Sequence, residues 1–214
     1  MSETPILAMT ALTLRVAGVA TLLLLPVGVL LGFVLARRSF PGKTLVTALV
    51  ALPMVLPPVA VGLAILLAAS ALGWPLAFTW WGAVAAAVAV SFPLLVRSCE
   101  QAFAEVDLRY EQVARSLGLG PARAFARVSL PLAGRGILYG ALLAFTRALG
   151  EFGATAIVAG IIPGRTETLA LGIYSRVQLG EDGAALSLCA VSFAIALASM
   201  LVAEHWLRSG RGRP

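Results

Sequence analysis

The sequence predicts an all-α integral membrane protein, a bundle of about five transmembrane helices in one domain over residues 1–214. The chain is 60% hydrophobic and only 12% charged, with a mean hydropathy of +0.95. Soluble globular domains carry about twice that share of charged residues. The run 44–96 contains no charged residue and no histidine. A soluble core of this size could not bury so much apolar surface, so the membrane class leads over an unusually hydrophobic soluble helical protein.

Five apolar segments are long enough to cross a bilayer, which takes about 20 residues of helix. These predicted spans are 14–36, 45–71, 80–96, 136–162 and 184–207. Several contain proline, namely Pro26, Pro53, Pro57, Pro58 and Pro93. A proline survives in a membrane helix only where neighbouring helices or water satisfy the carbonyl groups that it leaves free. The prolines therefore indicate a packed bundle around a pathway, with ordinary kinks as the alternative.

The basic residues predict the orientation, because cytoplasmic loops of membrane proteins carry the excess of lysine and arginine. If the segment 97–135 is cytoplasmic, twelve of the sixteen basic residues lie inside: Arg37, Arg38, Lys43, Arg97, Arg109, Arg115, Arg123, Arg127, Arg135, Arg208, Arg211 and Arg213. The segments outside hold only Arg165 and Arg176. This bias predicts an N-terminus outside and a cytoplasmic C-terminus.

The cytoplasmic segment 98–135 is predicted to form two short helices joined by a turn. The first helix has an apolar face at the spacing i, i+3, i+4, i+7, formed by Tyr110, Val113, Ala114 and Leu117. Its opposite face is polar and holds Glu111, Gln112, Arg115 and Ser116. Gly118 allows a left-handed helix end and Pro121 can start the second helix. The result is an amphipathic elbow that fits a groove on a partner, with a loop lying on the membrane surface as the alternative.

This elbow resembles the EAA loop of ABC-importer permeases, in which a Glu-Ala-Ala-like start precedes a glycine, followed nine residues later by Ile-x-Leu-Pro. Here Ala114 precedes Gly118, and the residues 128–131 read Val-Ser-Leu-Pro. The resemblance implies that the loop couples the chain to a separate ATP-binding subunit through Glu111, Gln112, Ala114, Arg115, Gly118, Pro121, Leu130 and Pro131. Strict spacing puts Gln112 where glutamate is usual, with Glu111 one position earlier. Which of these two contacts the ATPase stays open at this point.

Nearly the whole chain resembles the molybdate-transport permeases. The similar stretches are FPGK at 40–43, LPPVAVG at 56–62, SFPLLVR at 91–97, EVDLRYEQVARSLG at 105–118 and AFTRALGEFGATAIVAGIIPGRTETLALGIYS at 144–175. Sulfate and tungstate permeases share the LGEFG element, so all three oxyanions stay open, with molybdate first.

The resemblance implies the fold of a type I ABC importer permease in the cell inner membrane. It also implies two ATP-binding subunits and an oxyanion-binding protein that docks on the outer segment 163–183, with a helix lying at the lipid interface as the alternative for that segment. Five spans with one elbow do not easily enclose a gated path, so a homodimer with the path along its two-fold axis is expected. The alternative from another class is a self-contained secondary anion transporter, which would have internal repeats and an ion-coupling carboxylate inside a span. Glu151 is the candidate carboxylate, and no convincing internal repeat is found.

Arg147 and Glu151 stand four residues apart in apolar surroundings. Charges there are costly, so the two are expected to face the bundle interior and to pair with each other. They are interpreted either as a structural ion pair or as part of an anion pathway or gate. Gly150 and Gly153 beside them permit close helix approach at a dimer seam.

No enzymatic chemistry, metal site or cofactor is expected. The stretch PGKT at 41–44 ends like a phosphate-binding loop, but the first glycine of G-x-x-x-x-G-K-T would fall at residue 37, which is an arginine. The sequence has no evident nucleophile–base pair and no metal-binding cluster. The chain is therefore predicted to be a translocation subunit that depends on a partner for ATP hydrolysis.

Overall fold

A computed structural model describes residues 5–208, with side chains as far as residue 205, and this part of the chain is helical and without strands. The all-α prediction is thus confirmed. A five-residue π-helical turn, Phe125–Ser129, joins the sixth and seventh helices. The helices are α1 Ile6–Arg37, α2 Lys43–Val55, α3 Pro58–Ala71, α4 Trp80–Ala104, α5 Leu108–Ser116, α6 Pro121–Ala124, α7 Leu130–Leu149, α8 Gly153–Val158, α9 Leu169–Gln178 and α10 Asp182–Arg208. Arg211 and Arg213, used above for the orientation, lie outside the described residues.

Among the described residues, four helices are each long and apolar enough to cross a membrane: α1, α4, the continuous helix Pro121–Leu149, and α10 as far as His205. Helices α2 and α3 qualify only together, and the chain bends by 112° between them. The chain breaks there because Pro57 and Pro58 provide no N–H groups and disfavour helical backbone in the residue before each of them. The predicted span 45–71 is therefore a bent pair of helices.

Helices α1 and α4 run parallel, which shows how the bent pair contributes to the topology. Gly28 of α1 lies against Leu95 of α4, and Gly32 lies against Cys99, so both helices advance in the same direction. The chain between α1 and α4 must therefore return from one end of the bundle to the other. The α2–α3 pair makes this return, and together with the four other helices it gives up to five crossings.

The fourth crossing differs most from its predicted bounds of 136–162. Its helix begins at Pro121, passes through the π turn, and ends at Leu149. The π turn accommodates Pro131, whose ring would clash with a carbonyl group of a regular α-helix one turn earlier. Gly150 then ends the helix. The first crossing begins at Ile6 rather than 14, and the third extends to Ala104 rather than 96.

Helix α4 lies at the centre of the bundle, between α1 and α7. Small residues allow the close approach: a Cβ added at Gly136 or Gly140 of α7 would come within 2.5 Å of Ala102 or Ser98 of α4. Since α7 numbers fall as α4 numbers rise along this contact, the two helices are antiparallel. Small residues at helix interfaces are the usual means of close packing in membranes. The ends of α1 and α4 and the start of α7 thus meet at one end of the bundle, where α5 lies; we call this the elbow end.

Candidate functional site

Helix α5 is bounded by two local signals in its sequence. Asp107 accepts a hydrogen bond from the Arg109 amide at 2.9 Å and caps the first turn. At the other end Gly118 has φ of +84°, the left-handed region that glycine adopts without strain. The amide of Gly118 donates to the Arg115 carbonyl and that of Leu119 to the Ala114 carbonyl, both at 3.0 Å. This pair of bonds is a Schellman motif, which fixes the direction in which the chain leaves α5.

The apolar face predicted for α5 is partly buried and partly exposed. Ala114 is buried against the rest of the chain, whereas Tyr110, Val113 and Leu117 are exposed, Leu117 by 79%. Three large apolar side chains thus stand together on a helix that also carries charged residues. An exposed apolar cluster with a polar rim is typical of a protein-binding surface.

Glu111, which the helical pattern puts on the polar face of α5, is not exposed to solvent. It is buried, and its Oε1 accepts hydrogen bonds from Arg37 Nε and Ser129 Oγ, each at 2.9 Å. Arg37 is the last residue of α1, and its Nη2 donates to the Val106 carbonyl at 2.7 Å. The carboxylate therefore binds groups of its own chain, and of the two neighbours Glu111 and Gln112 only Gln112 is exposed.

The predicted coupling residues divide into three groups in the structure. Four of them line one groove of about 440 Å³: Glu111, Gln112, Arg115 and Pro121. The groove is completed by residues that include Arg37, Arg38 and Phe125. A second group belongs to α5 and the turn after it: Ala114 is buried on the inner side of the helix, and Gly118 is exposed in the turn. Leu130 and Pro131 belong to the first turn of α7, where Leu130 packs on the core, so they do not line the groove.

The structure brings Arg147 and Glu151 together at the opposite end of the bundle. Arg147 Nη2 lies 2.9 Å from Glu151 Oε2, and the other carboxylate oxygen accepts the Ala154 amide at 2.8 Å. The Glu151 side chain is 3% exposed and that of Arg147 33%. Glu151 is not inside the spanning helix as predicted but in the break between α7 and α8. It therefore joins the last turn of α7 to the first turn of α8.

The two predicted glycines beside this pair have different surroundings. Gly150 is exposed, and a Cβ there would meet nothing within 4 Å. Gly153 is buried, and its added Cβ would lie 2.9 Å from Pro58 of α3. The close approach thus occurs within this chain, between α8 and α3.

Sequence reasoning missed Arg37 and Ser129. In the sequence, Arg37 stands out only as part of the excess of positive charge on one side of the membrane. Ser129 occupies the variable position of the Val-Ser-Leu-Pro stretch. The residue pair Arg37 and Glu111 is separated by 74 positions, so helical periodicity holds no signal for it. The one available hint was the position of Arg37 at the very end of a span, within reach of the elbow.

Comparisons with known proteins agree on one family. The family model described as "Binding-protein-dependent transport system inner membrane component" matches residues 28–208. The chain is 43% identical over 215 residues to the molybdenum transport system permease protein ModB of Escherichia coli strain K12, covering 94% of this chain and 93% of that one. It is 38% identical to ModB of Haemophilus influenzae, with 92% and 90% covered. The sulfate transport system permease protein CysT of Salmonella typhimurium is 34% identical, with 97% and 78% covered.

Two solved structures share the fold. One is described as an amino acid ABC transporter with histidines, with a TM-score of 0.66, 22% identity, and 95% of this chain and 93% of that one covered. The other is the MetNI methionine ABC transporter in inward-facing conformations, with a TM-score of 0.66, 18% identity, and 94% of each chain covered. These likenesses confirm the permease fold of ABC importers. The chain belongs to the family of inner membrane components of binding-protein-dependent transport systems.

Proposed function

We propose that this chain is the transmembrane permease subunit of an ATP-driven importer of tetrahedral oxyanions, and that its substrate is molybdate. The observation that supports molybdate is the 43% identity to a molybdenum transport permease along nearly all of both chains. Sulfate is the second candidate, because a sulfate permease is 34% identical over 97% of this chain.

The elbow is the proposed docking site for an ATP-binding subunit. Its exposed apolar residues, Tyr110, Val113 and Leu117, fit a hydrophobic cleft on a partner. Gln112 and Arg115 rim the adjacent groove and supply polar contacts. Because the chain has no phosphate-binding loop of its own, ATP hydrolysis belongs to that partner.

Two copies of the chain are proposed to form the complete permease. Each copy has one elbow, and a two-fold symmetric dimer presents two elbows to two ATPase subunits. Only 11% of the residues in the most apolar stretch of α10 are buried, so one copy leaves much spanning surface uncovered. The translocation path would follow the two-fold axis, and movement of the elbows would shift the bundles between inward-facing and outward-facing states.

The proposed orientation puts the elbow end in the cytoplasm and the N-terminus outside. It rests on the basic residues of the elbow, of which Arg109, Arg115, Arg123 and Arg127 are exposed. In this orientation the loop and α9 between residues 159 and 178 face outward, where a binding protein would deliver the anion. We assign the Arg147–Glu151 pair a structural role in the α7–α8 turn, because the carboxylate neutralises the arginine and also binds the Ala154 amide.

The substrate is tested by uptake into vesicles that contain this chain, its ATP-binding subunit and its binding protein. We expect uptake of radiolabelled molybdate that requires internal ATP, that tungstate inhibits strongly, and that equimolar sulfate inhibits weakly. Stronger inhibition by sulfate than by tungstate would transfer the assignment to sulfate. Uptake without ATP, driven by an ion gradient, would instead indicate a secondary transporter.

Gly118→Leu is expected to lower uptake per ATP hydrolysed without preventing membrane insertion. A side chain at φ of +84° is strained by roughly 1–2 kcal/mol. Relief of this strain changes the direction in which the chain leaves α5. Gly120→Leu is the matched control, because Gly120 has φ of −66° and equally open space around its Cα. Equal uptake-to-hydrolysis ratios in the two variants would contradict the role of the turn.

A further inference from the structure

We infer that Arg37, Glu111 and Ser129 form a clamp that locks α5 to the transmembrane helices, so that Glu111 transmits the movement of the elbow and Gln112 makes the polar contact with the ATPase. The transmitting role rests on the proposed function, whereas the clamp itself is a property of this chain. It resolves which of the two neighbouring residues, Glu111 or Gln112, faces the partner.

The clamp connects four elements through three side chains. Arg37 ends α1 and binds both the Glu111 carboxylate and the Val106 carbonyl in the α4–α5 connection. Glu111 in turn accepts the hydroxyl of Ser129, in the π turn that leads into α7. One carboxylate oxygen thus holds α1, α5 and the start of α7 together.

The clamp is shielded from solvent, which makes it a strong link. The Arg37 side chain is 8% exposed, that of Glu111 is 10%, and Ser129 is fully buried. Removal of one member leaves the other charge buried without its counter-ion, which is strongly unfavourable. By contrast, the nearby pair of Arg97 and Glu100 on α4, also at 2.8–2.9 Å separation, has an arginine that is 48% exposed.

A layer of aromatic rings supports the clamp from the side of the bundle. Phe33 and Phe125 stand one helical turn before Arg37 and Ser129, and Phe103 stands three residues before Val106. The Phe33 ring lies 5.1 Å from that of Phe103 and 4.7 Å from that of Phe125, measured between centroids. The rings join α1, α4 and the π turn, so α1 and the start of α7, which the Glu111 carboxylate also binds, are held together by packing as well as by charge.

This arrangement explains the different roles of Gln112 and of Glu111, the one carboxylate on α5. A carboxylate that already binds Arg37 and Ser129 inside the chain is not available to a cation of the partner. Gln112 is exposed and lines the groove, next to Arg115 and Arg38, which are also exposed. The polar contact with the ATPase therefore passes to an uncharged side chain on a basic surface.

The experiment uses the complete transporter in proteoliposomes, with molybdate as the transported probe. Glu111→Gln keeps the size of the side chain and removes its charge, and Arg37→Gln/Glu111→Gln removes both charges. Glu100→Gln is the matched control in the exposed pair, and Gln112→Arg tests the proposed contact. Four quantities are measured: uptake per ATP hydrolysed, affinity for the ATPase subunit, thermal stability, and hydrogen exchange of amides 108–116.

For Glu111→Gln we expect uptake per ATP to fall by about tenfold and exchange of amides 108–116 to rise by about fivefold, with ATPase affinity within twofold of the parent. The double variant should regain thermal stability, because no charge is left unpaired, but not the uptake ratio. Gln112→Arg should weaken ATPase binding by about tenfold and leave the exchange of α5 unchanged. Glu100→Gln should match the parent protein throughout.

Three results would overturn the inference. One is an unchanged uptake ratio in Glu111→Gln, and another is a loss of ATPase affinity as large as that in Gln112→Arg. The third is recovery of the uptake ratio together with stability in the double variant, which would reduce the pair to a structural role. If Glu111→Gln does not fold, the double variant and Ser129→Ala are measured in its place. We expect raised hydrogen exchange of the α5 amides in both. Failure of the parent transporter to take up any oxyanion with ATP contradicts the proposed function alone, and α5 exchange still tests the clamp.

Discussion

Gly32→Ala is expected to destabilise the protein by about 3 kcal/mol, because its new methyl group has no room between α1 and α4. A Cβ at this position would lie 2.5 Å from Cys99 Cβ and 2.8 Å from the backbone nitrogen of Glu100. The second of these atoms belongs to the backbone of α4, so the strain cannot be relieved by rotating a side chain. The two parallel helices would have to move apart along their length. Thermal melting of the purified chain in detergent, together with its yield from membranes, measures the effect.

Gly18→Ala is the control for this variant. Gly18 lies on the same helix, and a Cβ there would meet nothing within 4 Å. Alanine also favours helix over glycine by about 1 kcal/mol, so this substitution should leave the stability unchanged or raise it slightly. Similar melting temperatures for the two variants would show that the close contact at Gly32 is not needed.

Arg147→Gln is expected to destabilise the chain by about 3 kcal/mol, and more than the double variant Arg147→Gln/Glu151→Gln. Removing the arginine alone leaves a carboxylate that is 3% exposed without its counter-ion, whereas the double variant leaves no charge. The glutamine at 151 can still accept the Ala154 amide that Glu151 binds. Melting temperatures of the two single variants and the double variant provide the coupling energy.

The pair Arg176 and Glu181 serves as the comparison for that cycle. Its atoms lie 3.5 Å apart and the Glu181 side chain is 42% exposed, so its coupling energy should stay below about 1 kcal/mol. Purely additive effects of Arg147→Gln and Glu151→Gln would contradict the ion pair, and so would a coupling energy no larger than that of the exposed pair.

The sequence predicted those features that depend on residues close together in the chain. Helix α5 follows from a period of 3.6 residues, its end from Gly118, and the meeting of Arg147 with Glu151 from a separation of four residues. The all-helical membrane class follows from composition, because long apolar stretches without charge have few alternatives. Helix α5, its end and the Arg147–Glu151 pair are each encoded within one or two helical turns, and the membrane class is encoded in the composition of whole segments.

Features that depend on packing between distant helices were outside the reach of such arguments. The burial of Glu111 requires Arg37, 74 positions away, and no periodic pattern distinguishes it from the exposed Gln112. The helix Pro121–Leu149 continues through a proline because a π turn absorbs it, whereas local rules place a boundary there. The predicted end at Ile162 failed for a different reason: the break and the short helix α8 are as apolar as the span before them. Hydropathy indicates whether the residues of a segment favour an apolar environment, and it carries no information about the direction in which the segment runs.

The bend between α2 and α3 has a consequence for solvation. Val50 packs beside Val96 and Val61 beside Val90, so the bend lies alongside the middle of α4. The carbonyl oxygens of Pro53 and Met54 would receive their helical hydrogen bonds from residues 57 and 58, and both of these are prolines without an N–H group. Hydrocarbon tails offer no donor to replace them, and residues 54–60 are exposed in a single copy of the chain. This flank of the molecule therefore needs water or hydrogen-bond donors from another protein beside it. Annular lipid alone cannot surround it.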